Sequence, residues 1–453
     1  MPQQRWFGGK AREPRSFRIA RHAAFGEAWL LAVEVAYAEG GRDEYLVPLI
    51  ISESSEKEIA RMEDGRSLRE ATFDASFRDA MFRLMTAGVS RSGVAGWAGT
   101  YLKKAFPAVE VPVSRVLSAE QSNTSLIYGD RLFAKLYRKI VPGLNPDTEM
   151  TRFLSEVAGF RHVPAFGGSI EWGDAQILLA LELRPNDGNA WELALQEFGK
   201  HALEAGALEP WEKKAELLGQ RTGEFHRALY EVGELPEAWA AFRPEALGGA
   251  ALERLRAEIG ELPARAEAVL EAVAALASVS ESVRETLHAN GGSTGLPAVW
   301  RAALEELQGK DWTQEAVTLM RTHGDYHLGQ VLYAQGDFVL IDFEGEPSRT
   351  MEERRSKRPP IRDVAGMARS FHYAAHAARG EAGVEAAEEW ASASQRAFLR
   401  GWRGVVAGSA IADERLLGFY LLEKLVYELQ YELNNRPDWV HIPLRGLAAA
   451  VVG

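Results

Sequence analysis

Two early runs, AWLLAVEVAY and EYLVPLII, alternate apolar and polar positions on either side of the Gly-rich stretch AEGGRDE. A period of two around a glycine turn predicts antiparallel sheet from Arg18 to Ile51. A helical period follows from Ser67 to Ala87. From Val111 onward, VPVSRVL, TSLIYG and DRLFAKLY read as three short strands, the last two joined at a Gly-Asp turn. Asn145-Pro146-Asp147 has the chemistry of a helix start, with acids in the first turn. HVPAFGGSIEWGDAQILLALEL then predicts another strand pair, and Asn186-Asp187-Gly188 breaks the pattern. Beyond that break the apolar spacing lengthens to three and four, so Trp191 to Leu307 is predicted helical. A short hairpin-like stretch interrupts the helices, which resume and run to the end of the chain. A sheet-rich first half joined to a helix-rich second half is an α+β arrangement.

Composition narrows the function. At 453 residues the chain exceeds what one core fills, so two or three subdomains are expected. Its formal charge of −12 argues against nucleic acid or an anionic membrane as partner. There is no cysteine, which excludes disulfides, thiol catalysis and thiolate-bound zinc. The opening MPQQRWFGGKAR lacks the apolar core of a signal peptide, and no apolar run is long enough to span a bilayer. The expected setting is the cytoplasm. Twelve tryptophans fill cores by default, although flat aromatic surfaces also suit sugar rings.

Candidate chemistry concentrates between Thr322 and Glu346, THGDYHLGQVLYAQGDFVLIDFEGE. Asp325 lies in a loop whose His-Gly-Asp start suits unusual backbone angles, and Gln330 follows five residues later, before the strand VLY. After the Gln335-Gly336-Asp337 turn, FVLIDF is the return strand, with Asp342 near its end. A hairpin therefore brings Gln330 and Asp342 together with Asp325 nearby. That supplies an amide oxygen and a carboxylate for a hard cation, and a second carboxylate for a substrate proton. A solvated turn with scattered acids is the bland alternative. It is weak here, because Asp342 lies inside an apolar run where an unpaired charge would be costly.

This order of residues resembles the aminoglycoside-kinase and protein-kinase superfamily of phosphotransferases. Their catalytic loop carries a base Asp, a metal-binding Asn five residues on, and a metal-binding Asp after a hairpin. The resemblance implies ATP and Mg²⁺ as cofactors, with Asp325 as base and Gln330 and Asp342 as metal ligands. Gln330 departs from the usual Asn, and Glu344 stands where protein kinases have Gly. Glu344 is left open between adding a ligand, orienting one and touching the acceptor; His327 is assigned to the acceptor. The resemblance further implies that Lys135, on the third strand of its group, holds nucleotide phosphates, and that Glu149 on the next helix holds the lysine, with Asp147 close by. The phosphate loop would be SAEQSNT, which has no glycine, so Ser122, Asn123 and Thr124 would serve the phosphates. Backbone groups near Glu182 and Leu183 would lie against the adenine.

The C-terminal segment LLEKLVYELQYELNNRPDWVHIPLRGL places Lys424, Glu428 and Tyr431 at helical spacing, with Tyr427 beside them and Trp439 beyond the helix end. Charged groups and rings so arranged suit a polyol, although a solvated helix with a Lys–Glu pair would look the same. Here the resemblance becomes specific, to the maltokinases. It rests on QRWFGGKAR, EQSNTSLIYGDRLFAKLYRK, GLNPDTEMTRFL, PNDGNAWEL, HGDYHLGQVL, VLIDFEGEPSRTMEERRSKRPPIRDVAGMARSFHYAA and EKLVYELQYELNNRPDWVHIPL, spread over almost the whole chain.

That family implies a bilobal kinase-like fold: an N-terminal α+β cap subdomain over residues 1–110, a sheet-rich small lobe over 111–184 and a mainly helical large lobe over 185–453. It implies phosphorylation of maltose at its anomeric hydroxyl to maltose 1-phosphate, feeding α-glucan and glycogen synthesis from trehalose-derived maltose. Lys424, Tyr427, Glu428 and Trp439 would bind the sugar. The chain begins at the cap and carries no catalytic barrel, so a cooperating trehalose synthase is expected as a separate chain. A sugar or amino-sugar kinase of the glucosamine type is the nearest alternative. A regulatory pseudokinase is the other class, against which Lys135, Asp325 and Asp342 speak.

Overall fold

The computed structural model describes residues 1–10, 12–87, 90–91, 97–101, 110–117, 122–203, 208–277, 280–289, 295–347, 349–379 and 383–449. The chain separates into two compact units, Met1–Val157 with Pro164–Pro185, and Ala158–Val163 with Asn186–Gly453.

The first unit is built on two antiparallel sheets. One contains β1 (Pro14–Phe25), β2 (Ala28–Tyr37), β3 (Arg42–Ser52), β4 (Glu58–Arg61) and β5 (Ser67–Glu70), in the order β1-β2-β3-β5-β4. The helix expected from Ser67 is shorter: Ser67–Glu70 pairs with β3, and α1 spans Ala75–Ala87. The register explains this, because Ser67 and Arg69 bury their side chains between sheet partners instead of on a helical stripe. The second sheet contains β6 (Ser90–Arg91), β7 (Trp97–Tyr101), β8 (Ser114–Val116), β9 (Asn123–Tyr128) and β10 (Leu132–Tyr137). The two-residue β11 (Lys139–Ile140) leaves this sheet and pairs with β3 of the other. After α2 (Pro146–Arg152), capped by the Asn145 side chain on the Asp147 amide at 2.8 Å, come β12 (Phe166–Trp172) and β13 (Ala175–Glu182). The order is β6-β7-β12-β13-β10-β9-β8. Strands β6 and β7 therefore belong by pairing to the second sheet, although they precede residue 110.

One apolar core spans both sheets: Leu30 and Leu46 pack with Leu126, Leu136 and Ile177. The buried Arg138 joins them electrostatically. Its guanidinium donates to Glu70 Oε1 at 2.5 Å, to Thr124 Oγ1 at 2.7 Å and to the Leu46 carbonyl at 3.3 Å. A buried guanidinium is tolerated only when its N–H groups find such partners.

The second unit is mainly helical. In chain order it contains α3 (Ala190–Leu203), α4 (Leu208–Tyr230), the short β14 (Glu245–Ala246), α5 (Gly249–Leu276), α6 (Glu281–Ala289), α7 (Ala298–Gly309) and β15 (Thr318–Leu319). These are followed by the hairpin β16 (Val331–Ala334) and β17 (Asp337–Leu340), then α8 (Met351–Arg355), α9 (Ile361–Ala378), α10 (Gly383–Val406), α11 (Leu417–Asn435) and α12 (His441–Ala449). Helices α4 and α10 cross so closely that a Cβ added at Gly401 would lie 1.9 Å from the Glu216 carbonyl. Only glycine permits that approach. Trp211 stacks on Trp390 with ring centroids 4.9 Å apart, and both are fully buried, as are Trp312 and Trp402, so these tryptophans fill the core. Among the described residues, no helix is long and apolar enough to cross a membrane.

Candidate active site

The β16–β17 hairpin closes through Gln335 (φ 53°) and Gly336 (φ 82°), a two-residue turn with both central residues left-handed, which matches the strands' twist. At its open end the Ile341 amide donates to the Gln330 carbonyl at 3.0 Å, which sets Gln330 opposite the start of Ile341-Asp342. Asp342 itself holds φ at 65°, an uncommon state for a non-glycine residue. It and Glu344 place carboxylate oxygens within 4.8 Å of each other. The two carboxylates are hard oxygen donors of the kind Mg²⁺ prefers, and Gln330 stands at the same end of the hairpin.

The preceding loop is pinned by α9. Asp363, in the first turn of that helix, accepts from the amides of His323 (2.8 Å) and Gly324 (3.1 Å). Ser370, two turns on, accepts from the Leu328 amide at 3.0 Å. Burial works to raise the Asp363 pKa, but His226 at 3.3 Å and the loop amide hold it below the ordinary carboxylate value. Gly324 takes φ 85°, so the chain can turn between the pinned amides and Asp325. His327 caps the turn that follows, its Nδ1 accepting from the Gly329 amide at 3.1 Å. Burial lowers its pKa, so the ring is neutral and carries its proton on Nε2.

Asp325 does not stand alone. Lys424 of α11 places Nζ 3.2 Å from Asp325 Oδ1 and 3.0 Å from Glu346 Oε1, with the Tyr427 ring 4.8 Å away. Burial opposes the ammonium, yet Asp325, Glu346 and Glu428 raise its pKa above that of an ordinary lysine. Glu346 is the hub of this array, accepting also from Arg349 at 2.8 Å and Arg362 at 3.1 Å. Burial alone would raise its pKa; Lys424, Arg362 and Arg349 hold it far below the usual carboxylate range. Arg349 and Arg362 in turn reach Glu423 at 2.9 and 3.7 Å. Asp325, Lys424 and Tyr427 line one hollow with these groups. Its charged walls alternate in sign.

Of the predicted sugar-binding groups on and after α11, Lys424 and Tyr427 line this hollow and Glu428 and Trp439 do not. Arg369 takes the Glu428 carboxylate with two donors, at 2.9 and 3.3 Å. Trp439 stacks on Tyr373, with centroids 6.1 Å apart, and lies 4.6 Å under the Arg436 guanidinium. Packing accounts for it. Sequence reasoning missed Glu346, Arg349, Arg362, Glu423 and Asp363. The legible signal was the dense mixture of acids and arginines in FEGEPSRT and RPPIRDV.

In the first unit, Lys135 Nζ lies 3.3 Å from Asp147 Oδ2, both side chains buried, and Glu149 sits buried on the same helix. Register decides which neighbours share the lysine's face. Lys135 is opposite Ser125 on β9 and Leu179 on β13, while Thr124 is opposite Leu136. Directly opposed residues share a face and successive ones alternate. Asn123 thus lies on the Lys135 face, and Thr124 lies on the other, where its hydroxyl accepts from Arg138. The Thr124 hydroxyl is thus engaged on the face away from Lys135. Ser122 is exposed just before the strand. Beside the lysine, Tyr137, Phe166, Leu179 and Leu181 form a small apolar cluster. The amides of Glu182 and Leu183 donate to the carbonyls of Ala165 (2.8 Å) and Arg131 (2.7 Å), so those two N–H groups are already used.

Comparison with known proteins gives the class of fold. Residues 1–77 match the family described as the maltokinase N-terminal cap domain. The chain is 25% identical over 371 residues to a glucosamine kinase of Streptacidiphilus jiangxiensis, covering 79% of this chain and 78% of that one. It is 25% identical over 346 residues to a glucosamine kinase of Mycolicibacterium smegmatis (strain ATCC 700084 / mc(2)155), covering 74% and 79%. A solved glucosamine kinase, in complex with glucosamine, ADP and inorganic phosphate, superposes with a TM-score of 0.65 at 21% identity, covering 95% of this chain and 93% of the other. The fold is therefore that of a kinase-like protein carrying an N-terminal cap, sheet-rich first and helical afterwards.

Proposed function

We propose that the protein transfers a phosphoryl group from ATP to a hydroxyl of a neutral sugar, with maltose, at its anomeric hydroxyl, as the acceptor. The observation that carries this reading is Asp325, set beside a polar hollow on a loop whose amides are pinned by Asp363 and Ser370, and already paired with the Lys424 ammonium. The relatives named glucosamine kinase support a sugar as acceptor and an adenine nucleotide as donor. The cap-domain match supports maltose. So does charge: an amino sugar would bring a second ammonium to an acid that Lys424 already neutralises, whereas a neutral hydroxyl needs only an acceptor.

In this mechanism Asp325 orients the attacking hydroxyl and takes its proton as the phosphoryl group arrives. Lys424 and Glu346 keep that carboxylate aimed into the hollow. Lys135, steadied by Asp147 or Glu149, is assigned the nucleotide phosphates, and Asn123 lies on the same face. Gln330 and Asp342 would hold Mg²⁺, whose role is to neutralise phosphate charge. Phosphoryl transfer depends chiefly on such positioning and charge neutralisation. Maltose 1-phosphate would feed α-glucan synthesis, its maltose supplied by a trehalose synthase.

A second reading, glucosamine as acceptor, is favoured by the relatives' names. The test is ATP-dependent phosphate transfer across maltose, glucose, glucosamine and trehalose, with and without Mg²⁺. A preference for maltose is expected. A preference for glucosamine overturns the neutral-sugar reading, and transfer to none of these sugars overturns the kinase reading itself.

A further inference from the structure

We propose that His372 and His376 of α9 and Glu388 of α10 form a binding site for a zinc-class divalent cation, separate from the hairpin carboxylates. The two histidines are four apart on one helix, so both rings project from the same face. Ring centroids are 4.3 Å apart. Glu388 Oε1 lies 2.8 Å from His376 Nε2 and 3.5 Å from His372 Nε2. One ligand atom from each residue falls within 4.8 Å of the others. A tetrahedral zinc ion with bonds of about 2.0–2.1 Å needs its ligand atoms roughly 3.3 Å apart. Small rotations of the imidazoles would achieve that.

The second observation concerns polar groups that protein alone leaves unsatisfied. His372 is 3% exposed, and its Nδ1 has no hydrogen-bond partner among the described residues, while its Nε2 meets only Glu388 Oε1, at 3.5 Å; His376 Nδ1 has no partner either. A buried ring nitrogen without a partner is costly. Coordination would use the lone pair of a neutral imidazole. Two imidazoles and a carboxylate select zinc, cobalt or nickel over Mg²⁺, with water as the fourth ligand. Arg369, one turn away, directs its charge at Glu428. A bound ion would clamp α9 to α10. Because α9 also carries Asp363 and Ser370, the clamp would steady the helix that pins the catalytic loop.

The test uses the full chain, stripped with a chelator and titrated with Co²⁺ and Zn²⁺. Elemental analysis gives stoichiometry, visible Co²⁺ absorption gives geometry, and the thermal midpoint gives linkage. One ion with the intense bands of a four-coordinate nitrogen-containing site is expected, together with a raised midpoint. Glu388→Gln and His372→Asn should weaken binding roughly a hundredfold or more, while Asp342→Ala should retain it. The proposal is overturned if the stripped wild type shows neither the bands nor a midpoint shift. It is also overturned if Glu388→Gln binds like the parent, or if Asp342→Ala abolishes the signal. Should the histidine variant fail to fold, the wild-type titration and Glu388→Gln decide.

Discussion

Replacing Lys424 by methionine removes one ammonium and keeps most of the side chain's volume. At 3.2 Å from Asp325 and 3.0 Å from Glu346, that ammonium is the charge that keeps the acceptor side of the hollow balanced. Glu346 would retain Arg349 and Arg362, so the loss falls mainly on Asp325. Breaking one partner of a buried pair costs about 3–5 kcal/mol, and the low end applies because Asp325 is partly solvated. Spread over the second unit, about 3 kcal/mol lowers the thermal midpoint by roughly 5 °C. The informative effect is on acceptor choice. At an effective dielectric of about 20, an acceptor ammonium ~5 Å from Lys424 meets about 3 kcal/mol of repulsion, close to a hundredfold in affinity. Lys424→Met should therefore raise the ratio of kcat/KM for glucosamine to that for maltose by about a hundredfold, measured as initial rates of ADP release at fixed ATP. An unchanged ratio alongside a lowered midpoint would refute the electrostatic account and leave Lys424 a structural group only.

Asp325→Asn should spare nucleotide binding, read by calorimetry, while lowering turnover by roughly a hundredfold or more; near-normal turnover would take it out of the proton-accepting role. Thr124→Val should leave the KM for ATP unchanged but lower stability by about 1–3 kcal/mol in denaturant melts, since it strands an N–H of the buried Arg138. A raised KM with normal stability would return Thr124 to the phosphates. Glu346 has a folded-state pKa below its ordinary 4.5, so its contribution is complete above that pH and fades as pH falls below it. Glu346→Gln should therefore lower the midpoint at neutral pH and narrow its gap to wild type in acid; a gap constant with pH would disprove the linkage.

Much of this architecture is local. Alternation at AWLLAVEVAY and DRLFAKLY, Asn145 before Pro146, and Gln335-Gly336 between two short strands each specify their element through neighbours a few residues away. The order Asp325, Gln330, Asp342 was legible for the same reason, because a hairpin brings its own two ends together. Local pattern failed where pairing competed with it. Ser67–Glu70 has helical spacing, yet β3 offers it a ladder of hydrogen bonds, and the strand wins.

What tertiary structure alone decided is which charges meet. Lys424 is 99 residues from Asp325 and 78 from Glu346, and Asp363 is 40 from His323, so no spacing rule connects them. Burial makes those meetings matter, because an isolated charge inside the protein must find a counter-charge or be lost. The same requirement turned Glu428 to Arg369 and Thr124 to Arg138, partners that no spacing in the sequence suggested. A residue's type and period say which face of its element it occupies; only the packed neighbours on that face determine whether its polar atoms are spent or offered.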